Sequence, residues 1–419
     1  MRSRLRVLYF SRVDFPNRKA NSIQTMNTCY ELARGGAEVV LVVLRVVASR
    51  RQCFEFYALP EHPRLRFLSL SLPIESEFND WQGSHFRTYL ASFLQRYRTP
   101  STVLFTRDPA GLELLRVFNE LRPHPCMATV FEVHKVSFMV KASHQLERGR
   151  CLEDPRVRAR IDERRALEAE VYGAADGLIC TSESARRLVE ENFRIGAPVC
   201  VIPNGTRVPV DAAGNPNVVR VLDDTHRDID VLYVGQLYAW KGIDILLRAM
   251  RHLPGRRLTV VGGNDPQDLE RVRGLVAAEG LQDCVELAGY RSPPEVRGYL
   301  GRARVGVVPS PLQGFAESTW FTSPLKLFEL MQAGVPVVAT DLPSIRELLV
   351  DGDSALLAPP DDPQAMARRI ARLLEDRGLA ARLVQRAAEG VVEYSWEKRA
   401  RRILGFLNRL HPAVQQTGA

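Results

Sequence analysis

Short apolar, β-branched runs alternate along the chain with longer segments whose apolar positions recur every three or four residues. Arg6–Phe10 reads as a strand. Gln24–Gly35 reads as a helix, with Met26, Cys29, Tyr30 and Ala33 on one face and Gly35-Gly36 as its stop. Glu38–Leu44 returns to strand, and such a strand–helix–strand unit implies a parallel sheet. Val103–Thr106, Thr129–Val133, Gly177–Thr181 (with a helix from Ser184) and Val199–Ile202 extend the series to Pro203-Asn204-Gly205. A polar stretch over 206–228, with Asp211, Gly214, Pro216, Asp223 and Asp224, has the composition of a linker.

A second series then opens. Strands are expected at Asp230–Val234, Arg257–Val261, Val285–Ala288, Val305–Pro309 and Val335–Thr340. Helices are expected between them at Ile243–Met250, Leu269–Glu279, Pro294–Leu300 and Pro324–Ala333. A last helical pattern, Trp396–Leu407, precedes a frayed tail, Val414–Ala419. The expected architecture is α/β: two doubly wound, Rossmann-like parallel-sheet domains, 1–205 and 229–395, facing a cleft. Residues 206–228 join them, and 396–419 form a C-terminal helix and tail that can pack back on the first domain.

Composition agrees with this picture. The 419 residues suit two domains, or three, and 45% hydrophobic with 25% charged residues exclude wholesale disorder and fibrous repeats. The seven cysteines, Cys29, Cys53, Cys126, Cys151, Cys180, Cys200 and Cys284, are odd in number and lack C-x-x-C spacing. They read as small buried hydrophobes in a reducing compartment. Val7–Phe10 is too short for a signal-peptide core, and no run approaches a membrane span. A soluble, cytoplasmic protein is expected, at most peripheral to the inner face of a membrane. The net charge of +8 is uneven. Residues 1–205 carry 30 basic and 23 acidic side chains, and residues 206–419 carry 27 and 26. An anionic partner for the first half would explain the excess, and so would a solvated Arg-rich surface.

In doubly wound domains ligands meet the loops after the carboxyl ends of strands. One such loop runs Gly235-Gln236-Leu237-Tyr238-Ala239-Trp240-Lys241-Gly242. Gly235 lets backbone approach a ligand, and Lys241 at a helix start makes a phosphate site; the alternative is an exposed loop lysine. A second loop leads into Ser323-Pro324-Leu325-Lys326-Leu327-Phe328-Glu329. There Thr322 or Ser323 is the expected N-cap and Pro324 the first helical residue. Glu329 can accept two hydrogen bonds from vicinal hydroxyls, or pair with Lys326 along the helix. Glu132 and His134, two apart at a strand end, share a face where the His can bind a hydroxyl or move a proton; a structural His is the alternative. Asn21 and Ser22 lie in the first βα loop, which lacks G-x-G-x-x-G. Arg107 can meet an anionic group or pair with Asp108, and Pro203-Asn204-Gly205 is most simply a hinge.

Ala20-Asn21-Ser22, Glu132-Val133-His134, Ile202-Pro203-Asn204-Gly205, Tyr233-Val234-Gly235 through Lys241-Gly242, and Ser323–Glu329 followed by Gly334-Val335-Pro336-Val337-Val338-Ala339 resemble, in order and spacing, the signatures of glycosyltransferase family 4. These are retaining enzymes of GT-B fold, and the resemblance covers about residues 5–405. It implies a hexosyl-type glycosyltransferase, as in polysaccharide biosynthesis, with a donor site in the second domain and an acceptor site in the first. Lys241 matches the family lysine that holds the donor diphosphate. Glu329 matches the glutamate on the ribose hydroxyls, and His134 the histidine beside the donor sugar. Gly235, Gln236, Ser323, Pro324, Leu325 and Lys326 complete the donor set. Asn21, Ser22 and Arg107 form the acceptor and phosphate loops.

This sequence departs from the pattern twice. Gln236 stands where the family commonly has Arg, a charge Lys326 would replace. Phe321 stands where a glutamate is common, a contact left to the backbone of 322–325 or to Glu317. Partners are then a nucleotide-sugar donor and a glycan or lipid-linked acceptor, with peripheral membrane contact through the basic first half. Neither nucleic acid nor a cofactor is expected. No metal is expected either, because lysine and N–H groups can neutralise a diphosphate and no Asp-x-Asp lies in these loops. A non-catalytic sugar-nucleotide binder and a sugar-nucleotide epimerase of the same fold are the alternative readings.

Overall fold

A computed structural model of the chain describes residues 4–69, 92–93, 96, 101–107, 116, 120, 127–211, 216–219, 226–312, 316–321 and 323–410. Cys126, Asp108, Thr322, Gly214, Asp223, Asp224, the tail Val414–Ala419 and the side chain of Glu317 lie outside these residues. The chain divides into two units, residues 1–203 with 396–419, and residues 204–395.

In the first unit β1 (Arg6–Phe15), α1 (Ala20–Arg34), β2 (Glu38–Val46), α2 (Arg50–Phe56), β3 (Leu65–Ser69), β4 (Thr102–Thr106) and β5 (Met127–Val133) come first. Then follow α3 (Ser137–Glu147), α4 (Pro155–Ala174), β6 (Gly177–Cys180), α5 (Glu183–Asn192) and β7 (Val199–Val201). The strands form one sheet in the order β3-β2-β1-β4-β5-β6-β7, with every adjacent pair parallel. Strand β1 is twice the expected length, so Asp14 and Phe15 are sheet residues. Asp14 takes a two-pronged ion pair from Arg45 of β2. Helix α1 starts at Ala20, four residues before the apolar pattern, so Asn21 and Ser22 belong to its first turn and not to a loop. Helices α3 and α4 were not expected. Only Val157, Glu168, Val171 and Tyr172 of α4 are buried, too thin a stripe to read as amphipathic. Glu168 itself is structural: it accepts the Ser137 and Phe138 N–H groups (2.6 and 2.9 Å) that open α3.

In the second unit β8 (Ile229–Val234), a 3₁₀ turn (Ala239–Lys241), α6 (Ile243–Met250), β9 (Leu258–Val261), α7 (Pro266–Ala278) and β10 (Val285–Gly289) come first. Next are α8 (Pro293–Arg302), β11 (Ala303–Val308), α9 (Ala316–Trp320), α10 (Leu325–Gln332) and β12 (Val337–Thr340). The unit closes with α11 (Pro343–Arg346), β13 (Leu356–Ala358), α12 (Pro363–Glu375) and α13 (Arg377–Val391). The sheet order is β10-β9-β8-β11-β12-β13, again parallel between neighbours. Strand residues alternate between two cores: Val231 and Tyr233 join Leu246 and Ile370, while Leu232 and Val234 join Phe328 and Val391. Full burial of such side chains contributes about 1.5–3 kcal/mol each.

The chain passes from the first unit to the second after Pro203, two residues before the expected boundary. The reason is visible in the hydrogen bonds of Asn204 and Thr206, which go to Ser323 and Tyr394 of the second unit. Nor is 206–228 a free linker where it is described. Val218 is buried, and the Val219 N–H donates to the Gln332 carbonyl. The last helix, α14 (Trp396–Leu410), returns to the first unit. Its Ile403, Phe406 and Leu407 enter that unit's core beside Met26 and Leu32. Two glycines make room for it. A Cβ on Gly35 or on Gly177 would come within 2.5 Å of Leu404 or Leu410, respectively. The cysteines divide: Cys29, Cys53 and Cys180 are buried as expected, whereas Cys151 is exposed.

Candidate functional site

Both sheets reverse strand order beside their first strand, β1 against β4 and β8 against β11. In open α/β sheets that switch point is where ligands bind. The predicted residues follow β1, β4 and the neighbouring β5 in the first unit, and β8 and β11 in the second, on the loops and opening helical turns after those strands.

In the second unit the loop after β8 is held by its backbone. The Gly235 N–H donates to the Val261 carbonyl (2.9 Å), Tyr233 Oη donates to the Gln236 carbonyl (2.6 Å), and Arg271 of α7 donates to the Leu237 carbonyl. Gln236 Oε1 accepts the Asn264 N–H at 3.4 Å, so the side chain that replaces the family arginine braces the neighbouring loop. Lys241 closes the 3₁₀ turn. Its ammonium lies 4.0 Å from the centre of the Trp240 ring, which stacks on Tyr238. Gly242 follows with φ 72° and begins α6. A Cβ there would sit 1.8 Å from the Pro309 carbonyl oxygen of the loop after β11. Only glycine fits both the backbone angle and that approach, and the approach brings the Lys241 loop against the loop that leads to Ser323.

That second loop differs from expectation. Ser323 does not cap α10: Pro324, with extended backbone, is the cap residue and Leu325 the first helical one. The Ser323 hydroxyl instead accepts the Asn204 N–H (3.0 Å), and its carbonyl accepts Asn204 Nδ2 (3.0 Å). Asn204, expected in a simple hinge, is thus a buried clamp on the approach to α10. Phe328 anchors the inner face of α10 against Tyr394, with ring centroids 4.9 Å apart. On the outer face Lys326 Nζ and Glu329 Oε2 form an ion pair at 2.7 Å, both about a third exposed. The intrahelical alternative is therefore present, at a partly exposed site where such pairs are weak and a ligand can exchange for either partner. Phe321 is buried.

In the first unit the structure brings together Arg107 after β4, His134 after β5 and a partner that the sequence reading missed. Glu132 is fully buried. It accepts His134 Nε2 (2.9 Å), Gln24 Nε2 of α1 (3.1 Å) and the guanidinium of Arg399 from α14. Arg107 Nη1 in turn donates to Gln24 Oε1 at 2.5 Å. Burial opposes ionisation of Glu132, but Arg399, His134 and Arg107 outweigh it and hold the carboxyl far below its usual range. Burial, then the Arg107 charge, pushes His134 down to about 4 against the pull of Glu132. The ring is therefore neutral near pH 7. Its one proton faces the carboxylate and Nδ1 is an acceptor. In the first turn of α1, Ser22 is buried and its hydroxyl lies 2.5 Å from Tyr57 Oη. Asn21 Oδ1 is buried without a partner among the described residues.

Arg399 had a legible signal. It stands on the stripe Trp396, Ala400, Ile403, Phe406 and Leu407, an arginine at an apolar position, and such residues are buried only when paired. The Asn204 clamp and the Trp240 support depend on loop geometry and leave no periodic trace.

Residues 22–205 match the family model described as Glycosyl transferase 4-like domain, and residues 228–376 the one described as Glycosyl transferases group 1. The chain is 33% identical over 253 residues to D-inositol 3-phosphate glycosyltransferase of Acidothermus cellulolyticus, covering 57% of this chain and 54% of the relative. It is 31% identical over 258 residues to phosphatidyl-myo-inositol mannosyltransferase of Mycolicibacterium smegmatis, covering 58% and 60%. The chain thus spans little more than half the length of these curated relatives. Among solved structures, sucrose-phosphate synthase from Thermosynechococcus elongatus superposes with a TM-score of 0.73 at 24% identity, over 97% of this chain and 99% of the other. HepE from Anabaena in complex with UDP and glucose superposes with 0.69 at 14% identity, over 96% and 99%. The matched residues include His134, Lys241 and Glu329 within two successive family domains, and the chain belongs to glycosyltransferase family 4, with the two Rossmann-like domains of the GT-B fold.

Proposed function

We propose that this chain transfers a hexosyl unit from a nucleotide-sugar donor to a hydroxyl of a glycan, lipid-linked or small-molecule acceptor, with retention at the anomeric carbon. The observation that carries the reading is the seat of Lys241 at the β8/β11 switch point, beside the start of α6 and against the loop after β11. A cation and a helix start together favour a diphosphate, whose developing negative charge they would stabilise as the sugar departs. Glu329 would exchange its Lys326 pairing for ribose hydroxyls, freeing Lys326 to supply the charge absent at Gln236. His134 Nδ1 would accept a hydroxyl of the donor sugar. With Lys241 and the loop N–H groups as counter-charges, transfer would need no metal, and chelation should leave the rate unchanged.

Relatives named for an inositol phosphate and for a phosphatidylinositol support an acceptor that carries phosphate. The +7 balance of residues 1–205 supports the same reading, and with it contact with an anionic membrane surface. The odd number of cysteines without C-x-x-C spacing supports a reducing, cytoplasmic location. Among the described residues no helix is long and apolar enough to cross a membrane.

The test is a thermal-shift screen of UDP-, GDP- and ADP-sugars, followed by measurement of nucleoside diphosphate release with phosphorylated acceptors. One donor family should raise the melting temperature by mass action. No shift with any of them, or donor binding without release in the presence of any acceptor, would defeat the proposal. Liposome flotation with and without acidic lipid tests the membrane contact.

A further inference from the structure

A buried arginine from the last helix reaches Glu132, on the strand that leads to His134. Arg399 is 2% exposed and Glu132 is fully buried, and 267 residues of sequence separate them. Nε and Nη1 of Arg399 are buried without a hydrogen-bond partner among the described residues, so the carboxylate is what answers the guanidinium charge. Glu132 Oε1 receives both this guanidinium and His134 Nε2. Gln24 Nε2 reaches the same oxygen at 3.1 Å and Oε2 at 3.5 Å.

We propose that Arg399 is a positioning residue for His134: it fixes Glu132 as a permanent anion that holds the imidazole proton on Nε2 and turns Nδ1 outward as an acceptor. Without Arg399 the buried carboxylate would have to find its positive charge elsewhere. The nearest group able to supply one is His134, by taking a second proton. An imidazolium has two donors and no acceptor, so the ring would lose the lone pair it presents. Arg399 thereby keeps the histidine neutral by being the cation in its stead.

The charged and titratable groups around the cluster come from every element packed on it. Arg107 after β4 disfavours His134 protonation, as does burial. Tyr9 of β1 and Cys29 of α1 are buried neighbours of Glu132, and burial holds both neutral. Cys200 of β7 feels Arg399, Arg409 and Glu132, and burial pushes it up to about 12, so it too stays neutral. None of these supplies a second cation to Glu132 when Arg399 is removed, except Arg107, which already donates to Gln24.

That Nδ1 meets a sugar hydroxyl rests on the glycosyl-transfer reading, whereas the placement of the proton does not. The experiment therefore uses NMR of histidine-labelled full-length protein, with His134 assigned by His134→Gln. Arg399→Gln keeps a hydrogen-bond donor and removes the charge; Arg399→Lys keeps the charge. In Arg399→Gln the His134 midpoint should rise from about 4 by about one unit or more. In Arg399→Lys it should stay near the wild-type value. The double variant Arg399→Gln/Glu132→Gln holds no unpaired buried carboxylate, so it is the folding-safe arm, and its His134 midpoint should fall back to the wild-type value or below. An unchanged midpoint in Arg399→Gln, or a rise that persists in the double variant, overturns the proposal. Where transfer is measurable, the acid limb of kcat/KM should move up in pH with the same midpoint. An absence of transfer would count against the function and leave the titration result standing.

Discussion

The two units share a strand order and a switch point yet furnish it differently. In the first unit the point is filled by a largely buried polar cluster, Arg107, Gln24, Glu132, His134 and Arg399, drawn from elements far apart in sequence. In the second it is shaped by backbone: Gly235, Gly242 and Gly262 permit close approaches, and the charged side chains Lys326 and Glu329 stay about a third exposed. Charge fixed inside a fold is coupled to stability, whereas charge at a rim is coupled to ligands. Substitutions of these charged side chains should therefore separate into two classes, folding effects in the first unit and binding effects in the second.

The largest expected effect is that of Glu132→Ala, which leaves the Arg399 guanidinium buried and unpaired. It should cost about 3–5 kcal/mol in denaturant unfolding. A cost below about 1 kcal/mol would erase the contrast, since a rim carboxylate loses no more. Gly242→Ala is the test that the second unit relies on backbone. Its left-handed φ and the Pro309 carbonyl should make it cost about 1–3 kcal/mol and abolish donor-dependent stabilisation. A stable Gly242→Ala that still binds donor would show that the approach of the two loops is dispensable.

Acid sharpens the same comparison. His134 is held down to about 4 when folded, against 6.5 for the free side chain, so an unfolded chain binds the proton first as pH falls. Its contribution is complete above pH 6.5 and is lost as pH falls to 4. Glu132, also depressed, adds a loss below its ordinary value of 4.5. Melting followed between pH 7 and 4 should show the first unit giving way first. The His134→Gln variant should flatten the upper part of that loss.

Lys241→Ala should change stability by no more than about 0.5 kcal/mol while removing the thermal shift from any nucleotide-sugar. Loss of the fold in this variant would place it in the wrong class. The smallest effect is that of Lys326→Ala, a few tenths of a kcal/mol, about what a partly exposed intrahelical pair contributes. Donor affinity decides its meaning: weakened binding supports Lys326 in place of the arginine absent at Gln236, and unchanged binding removes that role.

Much of this was legible in the sequence because parallel strands buried on both faces are continuous apolar runs, and Gly, Pro and Asn mark their ends. The strand cores, the Lys241 loop, the segment after Ser323 and the shared face of Glu132 and His134 all follow from such local signals. Helix α12 could have been read too, since Met366, Ile370, Leu373 and Leu374 keep helical spacing. Helix α4 could not, because its surface is polar nearly all round. The cap of α10 was misread because Asn204, 119 residues earlier, competes for the Ser323 hydroxyl that would otherwise cap it. Such long-range competition has no local pattern.

The return of α14 to the first unit also sets an order of assembly. Residues 204–395 are contiguous, so the second unit has its whole sequence before synthesis ends. The first unit waits. Until residue 399 has left the ribosome, Glu132 has no guanidinium to receive, and the groove that Gly35 and Gly177 leave for α14 stays exposed to water. Of these two units, the one whose strands are made first is thus completed after the other, reversing the usual N-terminal-first sequence of domain folding during translation.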